Sequence, residues 1–266
     1  MTLTEALALK DREVISLVGG GGKTSLMFAL GKELPSHRKG ILLTTTTKIW
    51  EPAASPYFTL FLSDQFSEIK RWVIKNGDKV PCLLIARGKL DNGKLLGIPP
   101  QWVEEFQSLQ EISMIIIEAD GAAGRSLKAP REGEPVVPQN TSLLVPVVGI
   151  DVLGRPMDEA YVFRSGIAAR LLNLSNESKV TEEIIYALLS EIIKSRPPKA
   201  RVIPFINKVD LPGGLEKARR IGKYLLQGKR AEFERVVLGQ VQRSPVVKEI
   251  CVPFPRCSGD RHGVGG

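Results

Sequence analysis

The sequence has few cysteines, no long apolar run and no basic leader, and each shortage excludes a class of protein. Three cysteines among 266 residues are too few and too scattered for a disulfide framework, and their odd number favours a reducing compartment. The longest apolar stretch, 143–150, contains Pro146 and falls far short of the roughly 18 residues that a membrane-spanning helix needs. Residues 1–10 lack the basic start and the small-residue cleavage site of a secretory signal. We therefore expect a cytoplasmic protein without a membrane partner.

Aromatic side chains are scarce where positive charge is concentrated. The net charge is +8, and the segment 194–235 alone carries twelve basic and four acidic residues. Only Phe205, Tyr224 and Phe233 in that segment could stack on bases, so the pattern favours a solvated basic face over a nucleic-acid site. An acidic partner protein or a polyphosphate ligand is also compatible with this charge.

Short apolar runs alternate with helical patterns along the chain, which is typical of a parallel sheet covered by helices on both faces. The strands are predicted over 14–18, 41–43, 57–62, 83–86, 114–118, 143–148 and 202–206. The helices are predicted over 23–34, 64–75, 100–109, 165–173, 181–195 and 215–227. Asn92-Gly93 lies between short apolar stretches and predicts a small β-hairpin within 88–97. We therefore expect a single α/β domain over 1–266.

A glycine-rich loop follows the first predicted strand. The residues between that strand and the next helical pattern are Gly19, Gly20, Gly21, Gly22, Lys23, Thr24 and Ser25. Four glycines allow backbone N–H groups to turn inward around phosphate oxygens, and the following helix adds the positive end of its dipole. The lysine is expected to reach the β- and γ-phosphates, and the threonine hydroxyl to hold Mg²⁺.

The loop is of a short kind. The usual phosphate loop has a glycine six residues before the lysine, where this chain has Leu17, so the pattern here is G-x-x-G-K-T. Short loops of this kind are similar to those of the Mur ligases. They also resemble those of the ParA-like ATPases, whose additional lysine is replaced here by Val18.

Acidic residues close the strand predicted over 114–118. Four apolar residues precede Glu118, and Asp120-Gly121 comes directly after, which is a Walker-B pattern. Either carboxylate could contact the metal shell, and Asp120 could turn toward the γ-phosphate. Glu118 and Asp120 are therefore catalytic candidates together with Lys23, and Asp120 is also a candidate Mg²⁺ ligand.

Hydroxyl and basic side chains follow at the same predicted edge. Four threonines, 44–47, come after the second strand, and Thr45 among them is a candidate metal ligand, although threonine is equally favoured as a strand residue. The long loop 121–139 carries Arg125, Lys128 and Arg131. These side chains could neutralise charge in a transition state or bind an anionic substrate, or they could belong to a solvated loop.

A base-recognition motif follows the late strand predicted over 202–206. Asn207, Lys208 and Asp210 form N-K-x-D. In GTP-binding proteins with this spacing, the aspartate accepts hydrogen bonds from guanine, the asparagine braces the loop and the lysine stem covers the base. A polar turn capped by Asp210 is the alternative interpretation. The motif favours GTP, whereas the short phosphate loop is closer to that of ATP-using proteins, so the base preference stays open.

Five segments together carry a resemblance to a known family. They are 19–25, 44–48 with Pro52, 116–122, 127–130 with 134–136, and 207–210. In these segments the chain resembles the YqeC family of selenium-dependent hydroxylase accessory proteins. The most specific segment is 118–138, because phosphate loops and N-K-x-D occur in many NTPases. The resemblance implies a P-loop fold and a role in selenium cofactor biosynthesis, with a molybdenum hydroxylase or a cofactor-assembly protein as partner.

Two functions are compatible with these motifs. The first is an accessory NTPase that binds Mg²⁺ with GTP or ATP and couples hydrolysis to the maturation of selenium-dependent molybdenum hydroxylases. The second is a scaffold that holds a nucleotide-bearing molybdenum cofactor without hydrolysing a triphosphate. A ligase of the Mur type is disfavoured, because little chain remains for an acceptor-binding domain.

Overall fold

The computed structural model describes residues 1–36, 38–53, 55–175, 177–227 and 232–253, in which helices flank a large sheet. The α-helices of these residues are α1 (Leu3–Ala6), α2 (Lys23–Glu33), α3 (Phe66–Asn76), α4 (Pro100–Gln107), α5 (Ser165–Leu172), α6 (Glu182–Ile193) and α7 (Gly214–Leu226). The strands are β1 (Glu13–Gly19), β2 (Ile41–Thr45), β3 (Lys48–Trp50), β4 (Thr59–Leu62), β5 (Cys82–Ala86), β6 (Gly88–Lys89), β7 (Lys94–Leu96), β8 (Met114–Glu118), β9 (Leu127–Lys128), β10 (Leu143–Gly149), β11 (Val162–Phe163), β12 (Arg201–Val202), β13 (Phe205–Asn207), β14 (Val236–Gly239) and β15 (Val247–Cys251). Within these residues, no helix combines the length and apolar character needed to cross a membrane.

The glycine-rich loop lies at the middle of the sheet, because β1 is a central strand. The strand order is β15-β14-β13-β10-β1-β8-β2-β5-β4, with β12 beside β10. Neighbouring strands are parallel, apart from β14 with β15 at one edge. Parallel strands end at the same edge of a sheet, so the loops after β1, β8, β10 and β13 come together there.

Alternate residues of the central strands pack into two cores, one on each face. On β1, Val14 and Val18 pack into the core covered by α3, α4, α6 and α7, whereas Ile15 and Leu17 pack into the core covered by α1 and α2. Every residue of β1 is buried, as its continuous apolar run predicts. The predicted α/β fold, a mostly parallel sheet of the P-loop NTPase type with helices on both faces, is confirmed.

The predicted hairpin is present and belongs to a second small sheet. Strands β6 and β7 pair antiparallel around the Asn92-Gly93 turn, and β3 pairs with the other side of β7. The sequence analysis did not predict β3, a strand of three residues. Its middle residue, Ile49, packs with Leu95 of β7 into the core beside α2. The small sheet is thereby anchored at the edge where the glycine-rich loop opens.

The late strand differs from its prediction. The run predicted over 202–206 is two short strands, β12 and β13, both parallel to β10. Pro204 lies between them and has no N–H to donate, which interrupts the ladder. Helix α1 and strands β9, β11, β14 and β15 were not predicted from the sequence, and β15 is an antiparallel edge strand with mixed burial.

Candidate functional site

Close backbone packing explains the run of glycines after β1. A Cβ atom added at Gly21 would lie 2.2 Å from the nitrogen of Gly149, and one added at Gly22 would lie 2.4 Å from Nδ2 of Asn207. Both residues also have positive φ, 80° and 120°. A side chain at either position would therefore clash as well as strain the backbone.

The first N–H groups of the loop are used within the protein. Gly19 donates to Oδ2 of Asp120 at 3.0 Å, Gly20 to the carbonyl of Val147 at 2.9 Å and Gly21 to the carbonyl of Arg125 at 2.8 Å. The expectation that all four glycines form the phosphate nest therefore needs correction.

Free donors begin at the last glycine, which is the N-cap of α2. In the described part of the chain, the N–H groups of Gly22, Lys23, Thr24 and Ser25 have no acceptor. These four groups form the positive end of the helix dipole, and they face an open cavity.

Lys23 and Thr24 meet the Walker-B glutamate. Nζ of Lys23 donates to the carbonyl of Gly19 at 2.6 Å and lies 3.7 Å from Oε1 of Glu118. The Thr24 hydroxyl donates to Oε2 of Glu118 at 2.5 Å. Burial raises the pKa of Glu118, while Lys23 and the Thr24 hydroxyl act to lower it. A hydroxyl and a carboxylate are hard oxygen donors of the kind that Mg²⁺ prefers.

The protein alone does not complete a metal site here. Within the described ranges, no group of three or more His, Cys, Asp and Glu side chains could hold a metal ion. Mg²⁺ is commonly bound through one or two protein oxygens together with substrate phosphates. The donor pair Thr24 and Glu118 therefore fits a magnesium ion that arrives with a phosphate ligand.

Asp120 has a different position from Glu118. Its side chain is fully buried and does not line the cavity. Oδ2 accepts from Gly19 and lies 3.0 Å from Nζ of Lys128, and Oδ1 lies 3.2 Å from Nζ of Lys23. The spacing of Glu118 and Asp120 in the sequence did not indicate which of the two would contact a metal. In the structure, Glu118 faces the cavity, whereas Asp120 lies behind the glycine-rich loop and accepts a hydrogen bond from its backbone.

A chain of buried charges continues from Asp120 toward the long loop. Lys128, whose side chain is fully buried, pairs with Oε2 of Glu134 at 2.9 Å. The two terminal nitrogens of the Arg164 guanidinium, Nη1 and Nη2, donate to the same carboxylate. Burial raises the pKa of Glu134, but hydrogen bonds from Arg164 and Lys128 outweigh it and lower the pKa to about 2. The hydrogen bond to Glu134 in turn raises the pKa of Arg164. The sequence analysis named Lys128 but missed Arg164, which belongs to no motif.

Three of the four threonine hydroxyls donate to backbone carbonyls, those of Ile85, Glu118 and Val136. Thr45 is buried, and its hydroxyl donates to the backbone carbonyl of Glu118 at 2.8 Å and accepts from the N–H of Thr47. Thr45 does not line the cavity, whereas Thr47 does. The threonine candidate for contact with a ligand therefore moves from Thr45 to Thr47.

The N-K-x-D segment is packed directly against the glycine-rich loop. Nδ2 of Asn207 donates to the carbonyl of Gly21 at 2.7 Å, and its Oδ1 accepts from the N–H of Val241 at 3.0 Å. Asp210 pairs with Nε of Arg243 at 3.2 Å. Asn207 therefore joins three segments of the chain that are far apart in sequence.

Lys208 is held by partners that the sequence analysis did not identify. Its ammonium donates to Oγ of Ser126 at 2.7 Å and to Oδ2 of Asp151 at 2.8 Å. The N-K-x-D motif predicts that the stem of Lys208 covers a base, and Lys208 lines both of the cavities described below. Ser126 belongs to the long loop and Asp151 to the turn that follows β10, so only the fold brings them to Lys208.

Two cavities open at this edge of the sheet. The larger has a volume of about 780 Å³ and the smaller about 170 Å³. They share a wall made of Gly21, Gly22, Ser25 and Lys208. Asn207 and Asp210 line the smaller cavity, and the free N–H groups of α2 border the larger one. The two motifs therefore face adjoining spaces.

The larger cavity has two ends of different composition. We call the part lined by Gly22, Lys23, Thr24 and Glu118 the inner end. We call the part lined by Lys48, Trp50 and Lys94 of the small sheet the outer end. Arg125, Arg131, Glu134 and Arg164 also line this cavity.

Strained backbone is concentrated around the larger cavity. Among the described residues, five that are not glycine have positive φ, and three of them line this cavity: Ala123 at 46°, Arg164 at 61° and Lys208 at 68°. Such conformations cost about 1–3 kcal/mol each and persist mainly at functional sites. The carboxylate of Glu159 holds Arg164 in place by accepting from its N–H and from that of Ser165. The backbone therefore also favours this cavity as the candidate functional surface.

Comparison with known proteins shows the family of the chain. The family model described as YqeC protein matches residues 15–166, which include most of β1, the glycine-rich loop, β8 and the long loop. The chain is 28% identical over 255 residues to a protein of Escherichia coli (strain K12) named "Uncharacterized protein YqeC", with 90% of this chain and 92% of the relative covered. The match therefore includes most of the residues that line the larger cavity. The chain belongs to the YqeC family.

Proposed function

We propose that this protein binds GTP with Mg²⁺ and acts as an accessory NTPase in the maturation of selenium-dependent molybdenum hydroxylases. The observation that carries the nucleotide part is the pair of adjoining cavities, one bordered by N-K-x-D and the other by the free N–H groups of α2. The pathway part comes from the family resemblance. A hydroxylase or a cofactor-assembly protein is the proposed partner.

The phosphates are proposed to occupy the inner end. Four backbone donors and Lys23 provide positive charge there, and Lys23 has to leave the carbonyl of Gly19 to reach a phosphate. Thr24 and Glu118 would hold Mg²⁺, which neutralises charge on the phosphates when it is bound. Asp120 is a positioning residue in this proposal, because it fixes the N–H of Gly19 and pairs with Lys23 from behind the loop.

The base is proposed to occupy the smaller cavity. The Asp210 carboxylate borders it and can accept two hydrogen bonds from the N1 and N2 donors of guanine, which adenine does not present in the same arrangement. The Asp210 carboxylate would exchange its exposed partner Arg243 for the base. This geometry supports GTP over ATP.

A second candidate function is favoured by the size of the larger cavity. A scaffold that binds a nucleotide-bearing molybdenum cofactor without hydrolysis needs room beyond the phosphates, and about 780 Å³ is toward the upper end of ordinary ligand sites. Tight binding of such a cofactor with no release of phosphate in the presence of the hydroxylase would favour this function.

Calorimetric titration with non-hydrolysable GTP and ATP analogues, with and without Mg²⁺, tests the proposal. We expect Mg²⁺-dependent binding that prefers guanine, a loss of that preference in Asp210→Asn, and a loss of affinity in Lys23→Ala. Two exposed residues outside the site provide matched controls: Asp64→Asn and Lys32→Ala, the latter on the same helix as Lys23. A preference for adenine, or binding that ignores Asp210, would overturn the guanine assignment. Absence of binding to either analogue would overturn the nucleotide assignment as a whole.

A further inference from the structure

The larger cavity has more room than the proposed nucleotide uses. If the base enters the smaller cavity, mainly the phosphates and their metal enter the larger one. A triphosphate takes on the order of 250 Å³, counting each phosphate group as two to three water volumes of roughly 30 Å³. The cavity has about 780 Å³, so more than half of its volume is left beyond the inner end.

The outer end presents an aromatic ring and two lysine side chains. Trp50 lies directly opposite Lys94 in the β3–β7 pair, and Nζ of Lys94 is 4.9 Å from the centre of the indole ring. Lys48 lies on the same face, because side chains alternate along a strand and only Ile49 between them is buried. Trp50 is 61% exposed and lines the cavity.

The two ammonium groups of the outer end have no carboxylate partner within the described chain. Lys89 of the small sheet pairs with Glu51, whereas neither Lys48 nor Lys94 pairs with a carboxylate among the residues that the structure describes. Seven lysine and arginine side chains and two carboxylates line the whole cavity. Mg²⁺ cancels about half of the charge of a nucleoside triphosphate. A bound nucleotide therefore leaves positive charge at the outer end that a further anion can neutralise.

We propose that the outer end binds a second substrate, a small ligand with a flat ring and a phosphate or similar multiply charged anion. The ring stacks on Trp50, where Lys94 now lies, and the anion is held by Lys48 and Lys94. The inference rests on the proposed function, because it leaves the inner end to the nucleotide. It adds the chemical class of the ligand that shares the cavity with that nucleotide.

Flavin mononucleotide is a suitable probe, because it combines a flat ring with a phosphate. Its affinity is measured by fluorescence titration of the full chain, with and without a saturating Mg²⁺–GTP analogue. Riboflavin supplies the ring without the phosphate, and ribose 5-phosphate supplies the phosphate without the ring. Trp50→Ala removes the stacking surface. Tyr57→Ala is the matched control, since Tyr57 is an exposed ring that also has a lysine over it and lies outside the cavity.

We expect flavin mononucleotide to bind at least tenfold more tightly than either fragment, and to bind beside the GTP analogue rather than in competition with it. Trp50→Ala should weaken this binding at least about fivefold, in line with the loss of one stacking contact, and should leave the affinity for the GTP analogue unchanged. Tyr57→Ala should change neither affinity.

Several results would overturn the inference. One is an equal affinity of Trp50→Ala and of the unchanged chain for flavin mononucleotide. Another is an affinity of the unchanged chain for ribose 5-phosphate that equals its affinity for flavin mononucleotide. The others are displacement of flavin mononucleotide by the GTP analogue, and binding of a single-stranded oligonucleotide in its place. If no guanine or adenine nucleotide binds but the affinity for flavin mononucleotide still depends on Trp50, the proposed function is wrong and the proposed site for an anionic ring ligand is retained. The two proposals are thus tested separately.

Discussion

The inner and outer ends of the larger cavity are built in different ways. At the inner end, the backbone of Gly21 and Gly22 touches neighbouring segments so closely that no Cβ fits, and the charges behind the loop are buried in pairs. At the outer end, Trp50 and Lys94 are side chains on a small sheet, with the indole largely exposed. The inner end is therefore part of the core of the protein, whereas the outer end can change without disturbing the fold.

Removing the charge of Lys128 should produce the largest effect. Lys128→Met leaves the buried carboxylate of Asp120 without one of its two cationic partners, and breaking a buried ion pair costs about 3–5 kcal/mol. The free energy of unfolding, measured by urea denaturation, should fall by that amount. Trp50→Ala at the outer end should leave it nearly unchanged. Equal stability of Lys128→Met and the unchanged chain would remove the contrast between the two ends.

Glu134 should make stability depend on acid pH. Its pKa is about 2 in the folded protein and 4.5 in the unfolded chain, so the folded state holds the proton less tightly. The stabilisation is complete above pH about 4.5 and is lost as pH falls toward 2. At neutral pH, Glu134→Gln should lower the free energy of unfolding by about 1.5–3 kcal/mol, typical of hydrogen bonds to charged groups.

Urea denaturation at several pH values measures this dependence. Glu134→Gln should lose less stability than the unchanged chain between pH 4.5 and pH 3, since a glutamine does not titrate. A variant with the same acid dependence as the unchanged chain would show that the paired carboxylate does not control it.

A methyl group at Gly22 should damage the inner end selectively. Gly22→Ala would force a residue with a side chain into φ 120° and against Nδ2 of Asn207, at a cost of about 1–3 kcal/mol. We expect the affinity for the GTP analogue to drop at least tenfold. Gly166→Ala, where an added Cβ meets no atom within 4 Å, is the matched control and should bind normally. Normal nucleotide affinity in Gly22→Ala would contradict the close packing of the loop.

The smallest effect should come from Arg243. Arg243→Gln frees the Asp210 carboxylate from an exposed ion pair, and exposed pairs are worth at most about 1 kcal/mol. Guanine no longer has to displace an arginine, so the affinity for the GTP analogue should rise about two- to fivefold in calorimetry. A decrease would indicate that Arg243 contributes to base binding itself.

Much of the inner end could be predicted because its signals are local. The apolar run of β1 continues directly into the glycines, and the apolar run of β8 continues directly into its acidic residues, so each pattern consists of residues adjacent in the chain and has one main structural meaning. The cluster of Lys128, Glu134 and Arg164 could not be predicted in the same way. Arg164 lies 30 residues from Glu134 and belongs to no recognisable pattern.

The outer end also shows the limit of sequence reasoning. The Asn92-Gly93 turn predicted a hairpin, but β3, which pairs with β7, is too short to recognise. The pairing places Trp50 opposite Lys94, and both residues line the cavity.

The amino-acid sequence alone established the alternation of strands and helices and the position of the glycine-rich loop after the first strand, and its motifs indicated the family. The first two features follow from the period of apolar residues and from glycines that are adjacent in the chain. The tertiary structure decided which N–H groups of the loop stay free, that Glu118 rather than Asp120 faces the cavity, and that Asn207 braces Gly21 across 186 residues. The physical reason is that a hydrogen bond or an ion pair depends on distance in space, and the fold alone brings these distant segments together.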